Sequence, residues 1–162
     1  MGAFERMLPD TAATEAFGAE LGGILRPGDA VILAGELGAG KTALTRGIGA
    51  ALGAEGAVSS PTFVIARTHR TARGMPLVHV DAYRLVSSSE LDDLDIDFPA
   101  SITVIEWGRG LAEPVLDAWL DLELTRPKGG ALDPEADPDE PRRLVAIPHG
   151  GDWAERLSTL TP

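Results

Sequence analysis

The chain has 162 residues, of which 44% are hydrophobic and 24% charged, with a formal net charge of -11. That size and balance predict one globular domain over 1–162 with a buried core, and exclude disorder, coiled coil and collagen as descriptions of the whole. The longest unbroken apolar run, Ala30 to Ala34, is far below the roughly 18 residues of a membrane span, and no basic start precedes an apolar stretch, so neither membrane insertion nor secretion is expected.

There is no cysteine, which removes disulfides, thiolate metal sites and cysteine nucleophiles and fits a reducing, cytoplasmic setting. Residues 1–85 carry 8 Lys+Arg and 8 Asp+Glu, whereas residues 86–162 carry 6 and 17, so the second half holds all the net charge. Binding to a phosphate backbone draws on clustered cations. With only Lys41 and Lys128 as lysines, the chain is not expected to grip nucleic acid by itself.

Asp10 or Thr11 caps a helix whose apolar face reads Phe17, Leu21, Ile24 and Leu25. Arg26-Pro27-Gly28-Asp29 breaks it, and Ala30 to Ala34, short and apolar on both faces, suits a buried parallel strand. A glycine-rich turn leads into a helix from Thr42 to Leu52, stopped by Gly53. Thr62 to Arg70 and Leu77 to Val80 read as an antiparallel pair around Ala72-Arg73-Gly74. Ser88 or Ser89 opens a short acidic helix through Leu94, and Ile102 to Ile105 is a second central strand ending at Glu106. A short helix from Leu111, strands at Leu120 to Leu124 and Leu144 to Ile147, and a last helix from Asp152 to Leu160 complete the order. Pro127 to Pro141, with five acids, reads as an exposed loop. The fold class is α/β, a single-domain P-loop sandwich around a mixed sheet.

Gly35-Glu36-Leu37-Gly38-Ala39-Gly40-Lys41-Thr42 matches G-x-x-x-x-G-K-[ST] between a strand and a helix, where its mechanism requires it. Glycines let successive N–H groups surround phosphate oxygens, and the helix adds its positive end. Gly35 to Ala43 would therefore form a phosphate-binding loop, with Lys41 neutralising the β- and γ-phosphates of a nucleotide and the Thr42 hydroxyl on Mg²⁺. The plain alternative is a glycine-rich turn with a surface lysine.

Such a loop needs a carboxylate at a neighbouring strand end to hold Mg²⁺ or polarise the attacking water. Asp81 ends Leu77 to Val80 and Glu106 ends Ile102 to Ile105. Glu106 follows the more central strand and is favoured as the metal ligand, with Asp81 as a support behind the metal's own ligands or as the water-orienting base; the roles could be reversed. Ser59-Ser60-Pro61-Thr62-Phe63 sits where nucleotide-sensing loops occur, and Thr62 could turn its hydroxyl to the γ-phosphate or metal, or be a plain turn. His79 reads as a packed or hydrogen-bonded strand residue rather than a base, Arg84 as a phosphate ligand or a partner for nearby acids, and Trp107 as packing, or else an aromatic that stacks at a nucleotide site.

G-E-L-G-A-G-K-T-x-L-x-R-G at Gly35 to Gly47, S-P-T-F at Ser60 to Phe63, H-x-D-x-Y-R-L at His79 to Leu85, E-L at Glu90-Leu91 and I-E-W at Ile105 to Trp107 resemble the bacterial TsaE (YjeE) family in order and spacing, over roughly residues 8 to 147. The resemblance implies a small Mg²⁺-dependent ATPase, weak alone, that works with the TsaB and TsaD proteins in threonylcarbamoyl modification of the adenosine beside the tRNA anticodon. TsaD carries the carbamoyl chemistry, ATP hydrolysis to ADP resets the complex, and tRNA is met only through the complex. Position by position it implies Gly38 to Thr42 on the phosphates, Thr42 and Glu106 on Mg²⁺, Asp81 in hydrolysis, and Asp10-Thr11 near the adenine. Asp95 stands where the family often has glycine, the loop from Pro127 is longer and more acidic, and Arg142-Arg143 resembles a basic pair for which base stacking is conceivable.

The chain contains neither asparagine nor glutamine, so the N-K-x-D guanine motif and a Ras-like catalytic glutamine are absent. A small-molecule P-loop kinase should carry a basic lid where this chain is acidic. A nucleotide-sensing adaptor with negligible turnover is the non-enzyme alternative.

Overall fold

The computed structural model describes residues 3–36, 39–56, 58, 65–126 and 141–160. In chain order these form β1 (Phe4–Leu8), α1 (Thr11–Ile24), β2 (Ala30–Gly35), α2 (Lys41–Leu52), β3 (Ala66–His69), β4 (Leu77–Asp81), α3 (Ser88–Asp92), β5 (Ile102–Glu106), β6 (Trp119–Thr125), β7 (Arg142–His149) and α4 (Trp153–Leu157). The strands make one sheet in the order β1-β7-β6-β2-β5-β4-β3. β2 lies at its middle between parallel β5 and β6, β4 runs parallel to β5, and β3, β7 and β1 are antiparallel to their neighbours. The mixed α/β sheet is as expected.

One face of the sheet is covered by α1 and α2, whose Phe17, Leu21, Leu44 and Ile48 pack on Val31, Leu33, Val104 and Leu122. The other carries Ile32, Val80 and Ile105 under Leu91 of α3 and the irregular segment that follows it. β2 is covered on both sides, which is why it reads as a continuous apolar run.

α1 begins where expected: the Asp10 carboxylate accepts from the Ala13 N–H at 2.8 Å. Its far end is held by arginines distant in sequence. Arg73 donates to the Gly22 and Leu25 carbonyls, and Arg156 donates to the Ile24 carbonyl while gripping the buried Asp29 carboxylate with two nitrogens, at 2.6 and 2.8 Å. Those bonds fix α4 and the β3–β4 turn against the end of α1, and α4 also against the residue that leads into β2.

Several boundaries differ from the sequence reading. β1 was not expected; its short, half-polar sequence gains strand geometry only by pairing with β7 along the sheet edge. The acidic helix is capped by Ser87 and stops at Asp92. Asp95 then adopts φ of 54°, the left-handed conformation that glycine takes freely and aspartate tolerates. The helix from Leu111 is only a 3₁₀ turn at Glu113–Val115, and α4 is shorter than Asp152 to Leu160. β6 and β7 extend beyond their expected ends. The first expected strand of the hairpin is described from Ala66 to His69, and the loop 127–140 lies outside the described residues.

α1 and α2 approach with backbone nearly touching backbone. A methyl group added at Gly18 would lie 2.2 Å from the Leu44 carbonyl oxygen, and one at Gly47 would lie 2.0 Å from the Glu15 oxygen. Gly47→Ala should therefore force the helices apart and cost about 1–3 kcal/mol, read as a lower urea midpoint. Gly23→Ala, on α1 with open space around the new methyl, should raise that midpoint, for a gain in stability of up to about 1 kcal/mol.

Candidate nucleotide and metal site

The carboxyl ends of β2, β5 and β4 open onto one edge of the sheet, and α2 starts there. In parallel α/β sheets that edge is the ligand crevice. The register sets Leu33 beside Glu106 and Glu106 beside Asp81. Side chains alternate between faces, so Glu106 and Asp81 share the face on which α2 packs, with His79 two residues below Asp81.

Gly35 ends β2 with no room for a side chain, since a Cβ there would meet the Leu124 oxygen at 2.8 Å and the Ala39 methyl at 3.1 Å. Gly40 precedes α2 at φ of 101°, a conformation that side chains disfavour. The Ala39 N–H donates to the Glu36 carbonyl at 3.0 Å, and the buried Arg142 donates from Nε to the Ala39 carbonyl at 3.1 Å. Thr14 lies against Gly40, its Cγ2 3.6 Å from where a Cβ would stand, so the N-terminal turn of α1 with Asp10 and Thr11 borders the loop. Leu37, Gly38 and 59–64, including Thr62, lie outside the described residues.

Lys41 is 7% exposed, and its Nζ donates to the Gly35 carbonyl at 2.6 Å while sitting 3.9 Å from the centre of the Trp107 ring. Burial lowers its pKa, an effect partly offset by the charges of Glu106 and Asp81. Both carboxylates are thus close enough to feel the ammonium. Glu106 is 4% exposed and accepts from His79 Nε2 at 2.5 Å. Asp81 is half-buried, with Oδ1 accepting from the Tyr83 N–H at 3.0 Å. Ala43 is buried in the first turn of α2, and Thr42 beside it is half-buried.

The structure therefore brings together Gly35, Ala39, Gly40, Lys41, Thr42, Ala43, Asp81 and Glu106, with Glu36 exposed at the rim. Two readings need correction. Trp107 is not core packing: its backbone is left-handed at φ of 59°, its ring is 39% exposed, and it lies edge-on to Tyr83 with centroids 5.2 Å apart. Nor is Arg142 set for base stacking. Arg142 is buried beneath the loop backbone, and Arg143 pairs with Glu5 at 2.7 Å on the surface. The supporting role of Arg142 left no local signal, because its partner lies 103 residues away.

The oxygen donors of Thr42, Asp81 and Glu106 suit a hard divalent cation such as Mg²⁺. Among the described residues no three His, Cys, Asp or Glu side chains gather into a self-sufficient metal cage. The donor set thus fits an ion that takes its remaining ligands from phosphate and water, as Mg²⁺ usually does.

Comparison with known proteins is consistent with this arrangement. The family model for the threonylcarbamoyl adenosine biosynthesis protein TsaE matches residues 8–131. The tRNA threonylcarbamoyladenosine biosynthesis protein TsaE of Streptomyces coelicolor is 48% identical over 85% of this chain and 91% of its own length. The protein of that name from Mycobacterium bovis is 49% identical over 74% of this chain and 77% of its own. The crystal structure of Bacillus subtilis YdiB superposes with a TM-score of 0.74 at 25% identity, covering 98% of this chain and 93% of that one.

A lysine whose pKa is depressed by burial opposes folding while it is charged, and that penalty fades as pH rises through its folded pKa. Lys41→Met should therefore gain stability at pH 7, on the order of 1 kcal/mol in urea denaturation. The same variant should lose about 100-fold or more in ATP affinity by calorimetry.

Proposed function

The chain belongs to the TsaE family of threonylcarbamoyl adenosine biosynthesis proteins, and we propose that its part in that pathway is to bind ATP with Mg²⁺ and hydrolyse it to ADP and phosphate, resetting a complex with TsaB and TsaD. The carrying observation is the convergence of buried Lys41 with Glu106 and Asp81 on the crevice at the start of α2. A P-loop fold and membership of this family accord with nucleotide binding.

The loop backbone and Lys41 would take the phosphates, and Thr42 and Glu106 would hold the Mg²⁺. When bound, that ion offsets charge on the phosphate oxygens. Asp81, held by the Tyr83 N–H, would orient the attacking water and accept its proton. Thr62 would approach the γ-phosphate, and Asp10 and Thr11 the adenine. Before phosphate can use it, Lys41 must leave the Gly35 carbonyl and the Trp107 face. That prior engagement supports slow turnover in isolation and stimulation by partners.

No helix among the described residues is long and apolar enough to cross a membrane. A cytoplasmic protein that meets tRNA only through its partners agrees with a second half holding 17 acids against 6 bases.

Asp81→Asn and Glu106→Gln should each lower ATP hydrolysis about 100-fold while ADP affinity stays within about threefold, since the backbone carries ground-state binding. Steady-state hydrolysis and filter retention of tRNA, by the chain alone and with TsaB and TsaD, test the wider reading. The expected result is weak hydrolysis and no tRNA retention alone, with stimulation in the complex. Full activity alone, or tight salt-sensitive tRNA binding by the lone chain, would overturn it.

A further inference from the structure

His79 takes no part in the chemistry above, yet it is a fully buried polar group beneath the crevice. Its ring is fully buried on β4, below Asp81 and on the same face, and its Nε2 meets Glu106 Oε2 at 2.5 Å. Among the described residues this is the hydrogen bond that the Glu106 carboxylate accepts, and His79 Nδ1 has no partner there.

Burying an imidazole with one nitrogen unsatisfied costs stability, and an apolar residue would fill this interior strand more cheaply. The compensation lies at the other nitrogen. An ionised carboxylate only accepts, so the bond requires the ring proton to sit on Nε2. That N–H claims Oε2 and fixes the rotation of the carboxylate, leaving Oε1 as the oxygen free for a ligand. Groups that hold a ligating carboxylate in this way tune metal affinity without touching the metal.

We propose that His79 is a positioning residue for divalent-cation binding, orienting the Glu106 carboxylate through its Nε2–H. The inference rests on the reading of Glu106 as a metal ligand. It assigns the H-x-D motif two separate tasks, with Asp81 toward water and His79 toward the metal ligand.

The test measures Mn²⁺ affinity by paramagnetic resonance in the presence of saturating ADP, for the wild-type chain, His79→Leu and His79→Gln. It also measures ADP affinity in EDTA. His79→Leu fills the site but donates nothing, and should weaken Mn²⁺ binding about 10- to 100-fold. His79→Gln keeps an N–H at similar reach and should return it to within about threefold of wild type. Metal-free ADP affinity should be the same for all three.

Equal Mn²⁺ affinity in wild type and His79→Leu would overturn this proposal alone. So would equal weakening in both variants, or a parallel loss of metal-free ADP binding, which would mark packing as the cause. A wild-type chain that binds ADP but no Mn²⁺ would overturn the reading of Glu106 and this proposal with it. Should either variant fail to fold, nitrogen-15 spectra of the wild-type histidines decide: a proton on His79 Nε2 supports the proposal, and one on Nδ1 overturns it.

Discussion

Everything at the crevice depends on the register of three parallel strands. β4 and β5 end level with one another at Asp81 and Glu106, with Leu33 of β2 beside them, and β2 runs two residues further to Gly35. A slip of one residue would turn both carboxylates to the opposite face, among Ile32, Val80 and Ile105. Both faces of β2 and β5 are largely buried, and on β5 such a slip would carry the Glu106 carboxylate into the opposite core.

A second constraint comes from the helices. Gly18 and Gly47 let α1 lie on α2 at backbone contact, and this brings the first turn of α1 beside Gly40. The loop is thereby enclosed from three directions: α1 at its side, Arg142 beneath Ala39, and the strand ends in front. Arg73 and Arg156 anchor the other end of α1, so the helix cannot slide along α2 without breaking these part-buried hydrogen bonds.

The polar groups under this crevice are costly. Lys41, His79, Glu106 and Arg142 are all buried. Each is offset by a specific partner: a carbonyl and an indole face for Lys41, a carboxylate for His79, a loop carbonyl for Arg142. The depressed pKa of Lys41 shows that the offset is incomplete. Such residual cost is characteristic of sites whose charges are completed by a ligand.

The strand, glycine turn and helix around Lys41 were legible in the sequence because their signals are contiguous: an apolar run, glycines at fixed spacing, and an apolar period of four. The strand-end positions of Asp81 and Glu106 could be read for the same reason. The sequence could not say that β1 would be recruited, since a five-residue edge strand owes its geometry to pairing with β7, far along the chain. Nor could it find the bond from His79 to Glu106, 27 residues apart, the support of Ala39 by Arg142, or the indole of Trp107 against Lys41. Those contacts are set by sheet order and helix packing. Periodicity fixes which face a side chain takes within its own element, but which distant residue waits on that face is decided only when the elements are assembled.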